Sequence, residues 1–272
     1  MRSAYLIGSA LLLVLSGCDE PSPAVPASSP PAPAAAAVSY LPVPQPMPAK
    51  ADPLVALTGS DAVARISPAL NADELAHAKA AVSRLPAGAK VFHLIADGSL
   101  VMAHYVVEGS ADPGVMASVF QFSSGQKVDR EELILFRGWD PARSGVGEAW
   151  TAPTNSDDAL EAENKAIVQR FMEGISKADS LESTIASTVA ADFVDHTRPE
   201  GPGQEALARA IASDGIGKTV ASIKELAGLG DIVMAVSTIT NTAADGAKSF
   251  SPGADVFRIK SGRISERWRI NY

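Results

Sequence analysis

The 272-residue chain has a single cysteine, Cys18, so no internal disulfide can form and thiolate metal clusters are excluded. Its four histidines, His77, His93, His104 and His196, are scattered. There is no HExxH and no pair at metal-ligand spacing, so no metal or cofactor is implied. Positive charge is short: 23 Lys and Arg stand against 31 Asp and Glu, a net −8. Such a chain lacks the basic face that displaces counterions from phosphates, which excludes nucleic acid as a partner. Charge alone would not draw it to anionic lipid either. No apolar run reaches the ~20 residues that a bilayer-spanning helix needs. Hydrophobic residues nevertheless make up 46%, enough for a packed core.

The chain opens with Arg2 and an apolar run from Ala4 to Val14, followed by Leu15-Ser16-Gly17-Cys18. The run fits the apolar region of a secretory signal, residues 1–17. Leu-Ser-Gly-Cys resembles the lipobox of bacterial lipoproteins. That resemblance implies acylation of Cys18 and cleavage of the leader before it. Two or more acyl chains, at about 0.8 kcal/mol per buried CH₂, hold a protein on a membrane without crossing it. The implied location is the bacterial envelope, facing the periplasm, and Asp19 resembles an inner-membrane retention signal. Residues 18–52 then form a linker. Ten prolines between Pro21 and Pro48 block helix and sheet and favour an extended spacer of about 3.1 Å per residue.

Past the linker one pattern occurs twice. Gly98-Ser99-Leu100-Val101-Met102-Ala103-His104 is answered by Gly230-Asp231-Ile232-Val233-Met234-Ala235-Val236. The chain therefore divides into 53–150 and 151–272. In the second part, apolar spacing predicts helices over 157–178, 181–191 and 203–213, then strands over 219–227, 231–241, 254–260 and 263–271. In the first, a helix from Asn71 or Asp73 to Leu85, taken by order as the partner of the 203–213 helix, precedes strands over 89–96, 99–108, 115–123 and 127–137. Between Asp52 and Pro68 there is room for one short helix. Helices followed by an antiparallel sheet make an α+β fold.

Asp192-Phe193-Val194-Asp195-His196, the Gly-rich loop after it, Gly230-Asp231-Ile232-Val233 and Val256-Phe257-Arg258-Ile259 running to Trp268 resemble the SnoaL-like branch of the NTF2-like superfamily. The resemblance implies a cone, in which a curved antiparallel sheet wraps a long helix around a pocket. It implies two tandem copies, the first truncated, paired as an intrachain pseudo-dimer. The truncated copy would bury its concave sheet face on the other, with Trp139 and Trp150 packed across the contact and Tyr105 and Phe120 in the core. Active members use a His on the second strand and an Asp just after the last-strand Trp for acid/base work. Here those positions hold Val236 and Arg269, and a guanidinium is no base.

The first copy keeps His104 at the strand position, with Glu131 or Glu132 as the nearest carboxylate partner. His196, beside Asp195, and Trp268 are candidate pocket residues, although His196 can equally hydrogen-bond the loop that follows it. The expected role is a non-catalytic binding module for a small apolar molecule or an envelope protein. The alternative is an acid/base enzyme of cyclase or isomerase type using His104 with Glu131 or Glu132. A spacer between envelope layers would need no pocket.

Overall fold

The computed structural model describes residues 57–107, 115–123, 126–136, 153, 157–177, 179–196, 201–213, 215 and 218–269. The leader, Cys18, the linker, Trp139 and Trp150 lie outside the described residues. Helix α1 (Gly59–Ile66), a 3₁₀ turn (Ser67–Ala69) and α2 (Ala72–Val82) lead into strands β1 (Ala89–Asp97), β2 (Leu100–Val107), β3 (Val115–Phe122) and β4 (Val128–Phe136). These strands pair as an antiparallel meander in chain order. The second half has α3 (Asp158–Ile175), α4 (Leu181–Thr188), β5 (Val189–Asp195), α5 (Gln204–Ser213), β6 (Thr219–Leu229), β7 (Ile232–Thr242), β8 (Lys248–Lys260) and β9 (Arg263–Arg269). Its sheet has the order β5-β9-β8-β7-β6.

Local chemistry sets the helix starts. Asn71 caps α2 through Asp73 N and Glu74 N, and Glu74 returns the bond to Asn71 N, a capping box. Asp157 caps α3 by accepting from Ala159 N. One boundary departs from periodicity. The stretch to residue 191 was expected to stay helical, but α4 stops at Thr188 and β5 follows, parallel to β9. The β-branched Val189 and the inward Phe193 suit a strand that buries alternate residues, and Thr188 turns its hydroxyl back to Thr184 O.

Strand alternation separates two faces of the first sheet. Val101, Ala103 and Tyr105 point to α1 and α2, whereas Leu100, Met102 and His104 point the other way. In the second sheet Val233, Ala235 and Phe257 pack with Ile167, Val168 and Phe171 of α3. Ile232, Met234, Val236, Val256 and Trp268 join Met102 and Val119 in a core that runs from one sheet to the other. The described chain is thus layered helix, sheet, sheet, helix. Helices α1 and α2 cover one face of the first sheet, and the opposite face is the one buried on the second half.

The two halves hold their first β-turn in the same way. Gly98, at φ +56°, donates its N–H to Glu74 and accepts from His77 Nδ1. Gly230, at φ +58°, donates to Glu161 and accepts from Asn164 Nδ2. In each case a helix presents a Glu and, three residues on, a donor to a left-handed glycine. By this contact α2 stands where α3 stands, not where α5 does as chain order implied. Among the described residues, the first half shows nothing comparable to the α4-β5-α5 segment.

Asp97 ties the halves together. Its carboxylate accepts from Lys165 Nζ at 2.6 Å and from Gly228 N at 2.9 Å. The second bond caps a backbone donor on the edge strand β6. Removing the carboxylate strands a half-buried ammonium and that donor. Asp97→Ala should therefore cost about 1–3 kcal/mol in urea unfolding, with Asp97→Asn recovering part of it.

Candidate functional site

Charged groups lie inside the cone of the second half. Arg267, 1% exposed, is brought inward by the alternation of β9. Its Nε and Nη2 donate to Asp255 Oδ1 at 2.9 and 2.7 Å. Asp195 of β5 and Arg269 stand at 3.9 and 3.6 Å in the same cluster. The guanidinium also faces the rings of Phe171 and Phe257 at 5.8 and 5.6 Å, which favours a cation over their π faces. Ser237 lies on this inner face one pair further along, paired to Ile223 and Gly253. It is buried, and its hydroxyl has no hydrogen-bond partner among the described residues. Beyond it the cone opens as a groove of about 650 Å³ between α3 and the edge strand β6. Ala221, Ile223 and Leu226 form its apolar floor, and Gln169, Glu173 and Lys177 its polar wall.

A second polar cluster lies between the sheets. His93 and His104 face each other from β1 and β2, Nδ1 to Nδ1 at 3.0 Å, with their rings parallel. One ring must supply the N–H and the other a bare nitrogen. Burial holds His104 neutral, lowering it to about 3. His93 is also held well below its usual value, first by burial and then by His104, Arg258 and His196. His93 packs on Trp268 at 5.1 Å, and Trp268 stacks on His196 at 4.5 Å. His196 in turn meets Glu266 at 3.1 Å. The bond from His196, assisted by Lys260 and Arg258, takes Glu266 down to about 2 against the opposing effect of burial. Among the described residues no group of three or more His, Cys, Asp or Glu is placed to hold a metal ion.

Comparison with known proteins bears on the second half. The SnoaL-like domain family matches residues 168–267. These residues form a SnoaL-like domain. The comparison with curated proteins gives no match. Solved structures similar to the chain include a proposed SnoaL-like polyketide cyclase from Jannaschia Sp. CCS1, at 18% identity over 43% of this chain and 90% of that one, TM-score 0.37. A proposed polyketide cyclase from Bacillus cereus ATCC 10987 has 27% identity over 39% and 72%, TM-score 0.35. An NTF2-like protein of unknown function from Burkholderia pseudomallei K96243 has 17% identity over 39% and 88%, TM-score 0.33.

Within the SnoaL-like domain and its partner half, the residues singled out from sequence fall in three places. His104 lies between the sheets, as does Val236, its counterpart in the repeated pattern; neither side chain enters the cone. Glu131 is paired to Phe120, on the face opposite His104, and binds Arg84 at 2.6 Å. Glu132 shares the face of His104 but sits two strands away, 3.9 Å from Lys224. The structure therefore joins His104 to neither carboxylate. His196 and Trp268 do come together, and the side chain of His196 bonds Glu266; the loop that follows His196 lies outside the described residues.

Sequence reading missed His93, Asp255, Arg267 and Ser237. A signal was present for the middle two. They are opposite charges at inward positions of adjacent strands, where an unpaired charge could not stay. Removing one member should expose this dependence. Arg267→Met takes both hydrogen bonds from buried Asp255 and leaves it only Arg269, at 3.6 Å, and should cost up to about 3–5 kcal/mol in urea unfolding. Adding Asp255→Leu to that variant should restore much of the loss.

Proposed function

We propose that this protein is a lipid-anchored component of a bacterial envelope whose two α+β halves are copies of one SnoaL-like unit. We propose further that it binds a small apolar molecule without catalysing its conversion. The observation that carries the binding role is the groove between α3 and β6. Its volume of about 650 Å³ falls in the range of small-molecule sites, roughly 300–1,000 Å³. Its floor is apolar, and its walls offer a few polar groups to orient a ligand. Support for a non-catalytic role comes from the inner face of the cone. There Arg267 and Asp255 neutralise one another, and Arg269 occupies the position at which the resemblance implies an acid. Support for the two copies is the shared clamp on Gly98 and Gly230 and the shared order of four meandering strands. For anchoring, the support is the Leu-Ser-Gly-Cys18 sequence, and Asp19 favours the inner membrane.

Native mass spectrometry of the full chain in detergent tests the binding role. A co-purifying small molecule is expected in wild type and should be lost from Ala221→Trp, which fills the groove floor, while Glu205→Ala on the exposed side of α5 retains it. A bare protein mass in both, with no uptake of added apolar fluorophores, would count against a ligand site here. Anchoring is read separately: Cys18→Ser should move the protein from the membrane to the soluble fraction.

A further inference from the structure

We infer that the contact between the two sheets is an acid-sensitive joint, in which protonation of the His93–His104 pair and separation of the sheets are one coupled equilibrium. The geometry requires it. Both rings are buried, at 3% and 2% exposure, in a face otherwise made of Met102, Val119, Met234, Val236 and Val256. Phe92 closes over His104 at 5.1 Å. The single Nδ1–Nδ1 bond needs one donor and one acceptor. A proton on the acceptor leaves two N–H groups pointed at each other, with a charge on a buried ring.

Among the described residues, the acids near the pair are already engaged by other cations. From β8, Arg258 lies over Trp268 at 5.9 Å and adds a positive charge. From the loop after β5, His196 is a further imidazole. From β9, Glu266 is the acid on this face, and it already receives His196, Lys260 at 3.1 Å and Arg258 at 3.7 Å. Asp231 is engaged by Arg258 at 3.5 Å. At the far end of the contact Glu132 with Lys224, Arg130 with Glu225, and Asp97 with Lys165 are closed pairs.

The sign of the pH dependence follows. A separated, hydrated ring takes a proton near pH 6.5, whereas the closed joint holds His104 neutral to about 3. The open state therefore binds more protons below about pH 6.5. Closure is fully favoured above that value and weakens as pH falls toward 3, by up to tenfold per pH unit for each ring. Glu266 adds a second loss only at lower pH, because its carboxylate leaves its usual range downward, to about 2. Glu161, raised by burial in the clamp on Gly230, acts in the opposite direction. Between about pH 6.5 and 4.5 the histidine pair governs. Opening there presents two apolar sheet faces while the cone packed on α3 keeps its own core.

Hydrogen exchange of the full chain in detergent at pH 7, 6 and 5, corrected for intrinsic rates, tests the joint. Protection in 100–107 and 232–236 should fall at least tenfold, and up to a hundredfold, per pH unit below 6.5, with 167–172 of α3 retaining its protection. His93→Gln with His104→Gln keeps a donor and an acceptor but cannot titrate, and its protection should be level across that range. Equal slopes in wild type and the double variant, or loss spread evenly over the chain, would overturn the inference. Should the variant not fold, histidine-selective NMR of wild type decides. Two neutral rings at pH 5, one bearing Nδ1–H, sustain the joint, and a charged ring at pH 6 in the folded protein refutes it.

Discussion

Each half of this chain makes a sheet with helices on one face, and the face left over cannot stand in water. Met102 and Val119 lie on it in one half, Met234, Val236 and Val256 in the other, and all are buried. At about 25 cal/mol per Å² of apolar surface removed from water, pressing these faces together favours the joined halves. The remaining features work around that contact. Asp97 holds one end of it to α3 and the edge of β6. Polar groups that the strands cannot avoid placing there are paired, ring to ring or ring to carboxylate, as buried polar groups must be.

The same contact explains why the histidine of the repeated pattern is joined to neither Glu131 nor Glu132. A residue on β2 faces either α2 or the second sheet. His104 has the parity of Met102, so it goes to the dry side, away from the cone in which a substrate would lie. Glu131 has the parity of Phe120 and goes to the side of α2, where Arg84 receives it. No side-chain rotation carries a group through a sheet, so the pairing is decided by register. In the SnoaL-like domain the inward positions of β8 and β9 carry Asp255 and Arg267 instead. They neutralise one another there.

The two halves also show how one contact can be conserved in form while its surroundings change. A glutamate and a donor three residues apart on a helix, with a left-handed glycine between two strands, recur with Glu74, His77 and Gly98, and with Glu161, Asn164 and Gly230. The glycine supplies a φ near +57° that a side chain would strain. The helix supplies an acceptor for its N–H and a donor for its carbonyl. In the first half α2 is short, and α1 covers the remainder of the sheet. In the second, the single helix α3 reaches the whole way and α4, β5 and α5 close the cone.

Periodicity alone determined most of the elements. Alternating apolar residues located all eight meander strands to within a few residues, except β8, whose exposed start at Lys248 carries no alternation of burial. The capped apolar stripe located α3. Those signals are local, and local patterns suffice for elements whose one face is buried. Order in the chain is a poorer guide to position, since it sets α2 beside α5 whereas α2 makes to Gly98 the contact that α3 makes to Gly230. The turn of the chain at Thr188 was also hidden, because a helix of eight residues and a strand of seven share one apolar run. Which sheet face meets which partner, that His93 stands against His104, and that Arg267 finds Asp255 were decided only by the tertiary structure. Each depends on the register and packing of residues 11 or more positions apart, and no window of sequence contains both partners and the surface that buries them.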